Sequence, residues 1–126
     1  MDVIFNVKTF RELGLKVKKS NHLNSFENNI EFHKVAGRNG DLIIDDGNYN
    51  NKDIEVVSLL DCRDLPTKSI IDTINKHFKG FKGYGDLKFS DGYEFKAICK
   101  GQIVYNELFN DYYEVSIIFS AKGVED

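Results

Sequence analysis

The stretch that decides the fold of this 126-residue chain covers residues 36–49 and reads AGRNGDLIIDDGNY. The Asn-Gly pair at 39–40 suits a turn whose central residues need a positive φ. The Asp-Asp-Gly triplet at 45–47 suits a three-residue turn with glycine in the left-handed position. The apolar run at 42–44 is too short for a helix and consists of strand-forming residues. With the strand-like run at 52–56, the pattern predicts a tight β-meander.

The composition is that of a globular protein with a substantial core. Hydrophobic residues make up 41% of the chain and charged residues 29%, which suffices for one domain without disulfides or metal. The net charge is −3, with lysines dispersed among acidic residues, which disfavours a nucleic-acid partner. Cys62 and Cys99 lack metal-type spacing and are predicted to be free, buried thiols. We expect a single domain over residues 1–126.

The chain shows neither a membrane segment nor an export signal in its sequence pattern. No apolar run approaches the length of a membrane span. The first residues, Met-Asp-Val, lack the charged and apolar regions of a secretory signal. We therefore expect synthesis in a cytosol and no membrane partner.

Alternating apolar residues predict strands on both sides of the middle of the chain. The segments are Val3-Phe5-Val7, Leu13-Leu15-Val17 with Gly14 as a bend or bulge, Ile30–Phe32, Ile54–Leu60, Ile103–Tyr105, and Tyr113 to Ala121. The segment at 54–60 is apolar on both faces, which predicts a central strand covered above and below.

The clearest hairpin turns at residues 90–92, which read Ser-Asp-Gly. A three-residue loop there pairs Phe89 with Tyr93 and keeps the apolar side chains of both strands on one face. A two-residue loop at 91–92 would shift the register by one residue and move one apolar set to the opposite face. The three-residue loop is therefore predicted.

One helix is predicted, over Ser69–Lys79. Its apolar residues fall on one face at helical spacing: Ile70, Ile71, Ile74 and Phe78. Ser69 with Asp72 is a weak capping-box variant, and Gly80 is a natural C-cap. Strands, one helix and then strands again predict an α+β, mainly β class: an antiparallel β-sandwich or barrel with one helix packed on one face.

Metal and catalytic chemistry have little support in the sequence. The acidic residues between 41 and 53 suggest calcium, but a loop counted from Asp46 has Asn51 where glycine is needed and Val57 where glutamate is needed. The three histidines have no ligand spacing, and no serine or cysteine stands in a nucleophile setting. We predict no metal, no cofactor and no enzyme activity.

Several segments, in this order, resemble the phage distal tail protein family. They are residues 4–6 with 13–17, the block from 37 to 56, the helix at 69–78, the stretch at 85–97 and the last strand at 113–119. The block contains the residues of a structural turn motif: Gly37, Arg38, Asn39, Gly40, Asp46, Gly47 and Tyr49. The match spans nearly the whole chain, although no single motif is diagnostic.

The resemblance implies a structural virion protein of a phage or prophage tail tip. Family members form hexameric rings that join the tail tube to the hub and the receptor-binding apparatus. Their N-terminal domain builds the ring on a β-rich fold with one helix, related to tail-tube proteins. The expected partners are therefore other copies of the chain, the tail tube protein and the hub components, and the expected location is the virion tail.

The polar segment Lys18–Asn29 predicts a long projecting loop. In a ring it would reach a neighbouring subunit through four residues: Asn21, His22, Asn24 and Phe26.

The chain departs from the family in two places. It has His77-Phe78 where the family often has tryptophan and leucine, and it stops at Asp126 where many members continue into an outer domain. We expect either a short member or a ring-domain fragment. The alternative function is a small β-rich ligand- or carbohydrate-binding module, which should be monomeric with a deep, lined cavity.

Overall fold

The computed structural model describes residues 1–37 and 39–124, with Asp46 and Asn48 described by their backbone only. Its elements are β1 (Val3–Phe5), β2 (Lys8–Thr9), a 3-10 helix (Arg11–Leu13), β3 (Leu15–Ser20), β4 (Asn28–Lys34), β5 (Asp41–Tyr49), β6 (Lys52–Asp61), α1 (Thr67–Lys79), β7 (Gly85–Phe89), β8 (Glu94–Phe109) and β9 (Tyr112–Gly123). A seven-stranded antiparallel sheet has the order β2-β1-β7-β8-β9-β6-β3, and β4 and β5 form a separate two-stranded sheet. The predicted class, mainly β and antiparallel with one helix, is confirmed.

The large sheet curls around its own core. Two strands separate β1 from β9, so their side chains would be about 14 Å apart on a flat sheet. The ring centroids of Phe5 and Phe119, on these two strands, are only 5.0 Å apart. At the other end, the ring of His22, just after β3, stacks on Phe89 of β7 at 3.8 Å. The arrangement is thus nearer to the predicted barrel than to two stacked sheets.

Helix α1 covers the concave face of this sheet, as the apolar stripe predicts. Ile74 and Phe78 are buried, and the Phe78 ring lies 5.6 Å from Phe5 and 5.2 Å from Phe10. The predicted capping box is wrong, because the helix begins at Thr67 and Pro66 stands at its N-cap. Proline fits there, since its missing N–H has no partner in a first helical turn in any case.

The last three strands confirm the predicted register. The N–H of Phe89 donates to the carbonyl of Tyr93 at 2.9 Å, and Gly92 has a φ of +100°. Residues 103–105 continue β8 past a register shift that contains Gly101. In β9 the alternating residues Val115, Ile117, Phe119 and Ala121 are fully buried.

The first strand is shorter than predicted. Val7 was expected to extend it, but Asn6 and Val7 have φ values of +49° and +76°, and the chain reverses between β1 and β2. Val7 is 91% exposed. Leu13 belongs to the 3-10 helix, and Gly14, with φ +84°, ends that helix before β3 begins.

Strand β6 is an interior strand, as its two apolar faces predict. It pairs with β9 on one side and with β3 on the other, and its residues Ile54, Val56, Val57 and Leu60 are buried. The two cysteines are free, with Cys62 buried and Cys99 half-buried. Within the described residues, no helix has both the length and the apolar character needed to cross a membrane.

Candidate functional site

The candidate site is the β4–β5 hairpin, which stands apart from the main sheet. Within the described chain these two strands pair with each other and with no other strand. Their register aligns Phe32 with Ile43 and His33 with Leu42. A hairpin of two strands is marginally stable on its own in water, so it needs further contacts to remain ordered.

Both faces of the hairpin expose large apolar side chains. Side chains of directly paired residues share a face, so Phe32 and Ile43 form one apolar pair, and they are 64% and 58% exposed. The opposite face carries Leu42 and Ile44, which are 39% and 47% exposed. A solvated surface hairpin normally has at least one polar face. The hairpin therefore exposes apolar residues on both faces, and on the second face they lie across from His33 and Glu31.

The predicted turn motif lies mostly in this hairpin. Gly37 and Gly40 have φ values of +79° and +83°, so the positive φ predicted at Gly40 is observed; Arg38 lies outside the described residues. Asn39 is in the same bend, and Tyr49 ends β5 with 66% of its surface exposed.

The second predicted turn, at 45–47, is wrong. Gly47 does have a left-handed φ of +77°, but the chain does not reverse there. It forms a bulge inside β5, because Ile30 pairs with Asp45 while Asn28 pairs with Tyr49. The carboxylate of Asp45 accepts a hydrogen bond from the Gly47 N–H at 2.9 Å. An Asp-x-Gly sequence satisfies a bulge as well as a turn, since both need glycine at positive φ. The backbone of Asp46 lies in this bulge.

The loop predicted at Lys18–Asn29 is shorter than expected and does not project, while its place at a ring interface stays a prediction. Its ends belong to β3 and β4, and the middle, residues 21–27, lies against the main sheet. The side-chain oxygen of Asn21 accepts from the Glu55 N–H at 2.8 Å, and the N–H of Asn24 donates to the Asn21 carbonyl at 3.0 Å. Phe26 is half-buried, with its ring 6.1 Å from Phe95. The segment that stands out is thus the hairpin that follows this loop.

His22 holds the same loop at a second point. It is 2% exposed and stacks parallel to Phe89, while its Nε2 lies 2.6 Å from the carboxylate of Asp91 and its Nδ1 lies 3.0 Å from Ser20 Oγ. The hydrogen bond to His22 lowers the pKa of Asp91 below its usual value. These contacts place His22 in the body of the protein and not at an exposed interface.

Lys52 also binds the segment at residues 21–27, through the carbonyls of two of its residues. Its Nζ donates to the carbonyls of His22 at 2.8 Å and Asn24 at 2.6 Å. The same atom lies 4.6 Å from the ring centroids of both Phe26 and Phe95. Burial lowers the pKa of this lysine. No local pattern indicates this role of Lys52, because the residues that it contacts are 26 to 43 positions away.

An open groove lies between α1 and the β1–β2 turn. Its volume is about 710 Å³, and among its lining residues are Val7, Lys8, Lys76 and Phe81. It differs from the deep cavity expected of a small-ligand-binding module because it is open to solvent.

Comparison with solved structures finds a likeness to a phage protein. No protein-family model matches the chain, and no curated protein matches it. The crystal structure of SPP1 Dit (gp 19.1), described as a paradigm of the hub adsorption apparatus in phages that infect Gram-positive bacteria, matches 96% of this chain with a TM-score of 0.75. The two are 12% identical, and the match covers 49% of the SPP1 chain. The likeness shows a shared fold, and this chain corresponds to about half the length of that protein.

Proposed function

We propose that the chain is a structural, non-catalytic component of a phage or prophage tail tip. In this role it assembles with other copies of itself into a ring that joins the tail tube to the hub and receptor-binding components. The observation that carries the proposal is the β4–β5 hairpin with apolar residues on both faces. The fold shared with SPP1 Dit supports a place in the tail hub, and the family resemblance supports six subunits per ring.

The hairpin suits contact with a second copy of the chain. It is separate from the seven-stranded sheet, and it exposes the cross-strand pair Phe32–Ile43 on one face and Leu42 with Ile44 on the other. An arm that binds a different surface on the next copy makes a heterologous contact, and such contacts form a ring when the rotation between successive copies closes. Burying exposed apolar area at that contact supplies the driving force.

The test is the native mass of the purified chain at low and high concentration, with two matched variants. Phe32→Ser removes an exposed phenylalanine from the hairpin, while Phe81→Ser removes one after α1 that is 46% exposed. We expect the native chain and Phe81→Ser to form a closed oligomer as concentration rises, and Phe32→Ser to remain monomeric.

A native chain that stays monomeric at every concentration, without ring particles by electron microscopy, would contradict ring assembly. An unchanged oligomer in Phe32→Ser would contradict the hairpin as the contact surface.

A further inference from the structure

We propose that Lys52 is a positioning residue that fixes the direction of the β4–β5 hairpin relative to the seven-stranded sheet. The claim about direction concerns the single chain, and its consequence for assembly rests on the proposed ring function. The described contacts of the Lys52 side chain are with the segment before the hairpin and with Phe95, so its effect on assembly is indirect.

Lys52 lies at the junction between the hairpin and the main sheet. The chain enters the hairpin through residues 21–27 and leaves it through Asn50 and Asn51, directly before Lys52 begins β6. The N–H of Asn50 donates to the Glu27 carbonyl at 2.9 Å, which brings the entering and leaving segments together. Lys52 also pairs with Ala121 of β9, a fully buried residue. It therefore joins a rigid strand to the base of the hairpin.

The ammonium group of Lys52 binds the entering segment at two points. Nζ donates to two carbonyls of the entering segment, those of His22 and Asn24, which are two residues apart. Two bonds from one atom to two points of a segment restrict its rotation as well as its distance. The flanking Phe26 and Phe95 rings, each with its centroid 4.6 Å away, stabilise the cation by cation–π attraction.

The other anchors act at different points. His22 fixes the start of the segment through Asp91. The Phe26 ring lies 6.1 Å from Phe95 and 6.4 Å from Tyr49 of β5, and the Asn51 side chain of the leaving segment donates to Ser120 Oγ at 3.2 Å. The side chain of Lys52, by contrast, bonds to the backbone of the entering segment at two places. Without it, we expect the hairpin to remain formed but to sample a wider range of directions.

The experiment measures backbone residual dipolar couplings of the isotope-labelled full chain by NMR. It uses the Phe32→Ser variant at a dilution at which its native mass is that of a monomer, so that the couplings report on the single chain. With Lys52 present, one alignment tensor should fit both the hairpin and the main sheet. With Lys52→Met, which keeps the length of the side chain but removes the donor, the hairpin should need a separate tensor of smaller magnitude.

Two matched variants separate positioning from general stability. Lys52→Arg keeps a cation with several donors and should restore the common tensor. Lys100→Met removes an exposed lysine that pairs with Asp53 on the main sheet, and should leave both tensors unchanged. A change in overall stability alone would alter the unfolding midpoint without altering the alignment of the hairpin.

A common tensor in Lys52→Met would overturn the proposal, as would a hairpin that already aligns independently in the presence of Lys52. If Lys52→Arg behaves like Lys52→Met, the role of the cation is refuted. In the native background, we expect Lys52→Met to weaken self-association roughly tenfold or more. This second result depends on ring assembly, whereas the couplings do not.

Discussion

The main sheet and the β4–β5 hairpin are made of the same kinds of residues, yet they differ in what covers them. Ile117 and Phe119 in β9 are fully buried, because the sheet curls and α1 closes its concave face. Ile43 in β5 is 58% exposed, although its strand is as rich in branched apolar residues. Strand-forming residues thus determine the local conformation in both regions, while burial depends on the surrounding elements. The apolar side chains of the hairpin thus stay exposed in the single chain.

The largest expected effect is in the body of the protein, which consists of the seven-stranded sheet and α1. Phe78→Ala removes a ring that contacts Phe5, Phe10 and Phe119 beneath α1, so we expect the free energy of unfolding to fall by about 3–5 kcal/mol. Urea denaturation measures it. Phe81→Ala, at an exposed position, should change it by less than about 0.5 kcal/mol. Equal effects of the two would contradict the buried role of Phe78.

The next effect should be confined to the hairpin. Gly47→Val places a β-branched residue at φ +77°, where strain costs about 1–2 kcal/mol, and no atom lies close enough to cause a clash. We expect weaker self-association with an unchanged unfolding midpoint of the body. Native mass and urea denaturation measure the two quantities. Gly123→Val, at a glycine without a positive φ, serves as the control, and an equal loss of association there would refute the explanation by strain.

A smaller effect of opposite sign is expected at the β1–β2 turn. Val7 has a φ of +76° and is 91% exposed, so burial of its side chain does not offset its backbone strain. Val7→Gly should raise the free energy of unfolding by about 1 kcal/mol. Val104→Gly changes an equally apolar residue within β8 and should lower it instead. Thermal unfolding of both variants measures the difference, and destabilisation by Val7→Gly would argue against strain at this turn.

The smallest effect concerns the stability of the seven-stranded sheet and α1 at high pH. Burial raises the pKa of Tyr105 to about 12, and its hydroxyl donates to the Asn75 side chain of α1 at 2.7 Å. A raised pKa means that the folded chain holds this proton more tightly, so its contribution to stability is present below about pH 10 and is lost as the pH rises toward 12. Tyr105→Phe should cost about 1 kcal/mol at pH 7 and show a flatter decline above pH 10.

Urea midpoints at pH 7, 9, 10 and 11 measure the Tyr105 effect. A parallel decline in both proteins over this range would show that another group controls alkaline stability.

The sequence predicts the body well because its signals are local. Alternation between residues 113 and 121 defines β9, and the requirement for one apolar face selects the three-residue loop at 90–92. The helical stripe likewise identifies α1, with an error of two residues at its start.

The predictions fail where contacts between distant residues, or unusual backbone conformations, determine the structure. Residues 21–27 look like a projecting loop because they are polar, but His22 is buried by Asp91 and Phe89, which lie far along the chain. The turn at Asn6 and Val7 lacks the glycine that normally marks a positive φ. The exposed apolar pairs of the hairpin have an ordinary strand pattern, and only the fold reveals that no strand of the described body covers them.

Hydrogen–deuterium exchange over a concentration series tests most directly whether the hairpin is the part completed by a second copy. In dilute solution the amides of β4 and β5 should exchange much faster than those of β9, because a two-stranded hairpin opens locally at little cost. As the chain associates, exchange in β4 and β5 should slow while β9 stays unchanged. Slow exchange of the hairpin in the dilute monomer, or fast exchange that persists in the oligomer, would contradict the account.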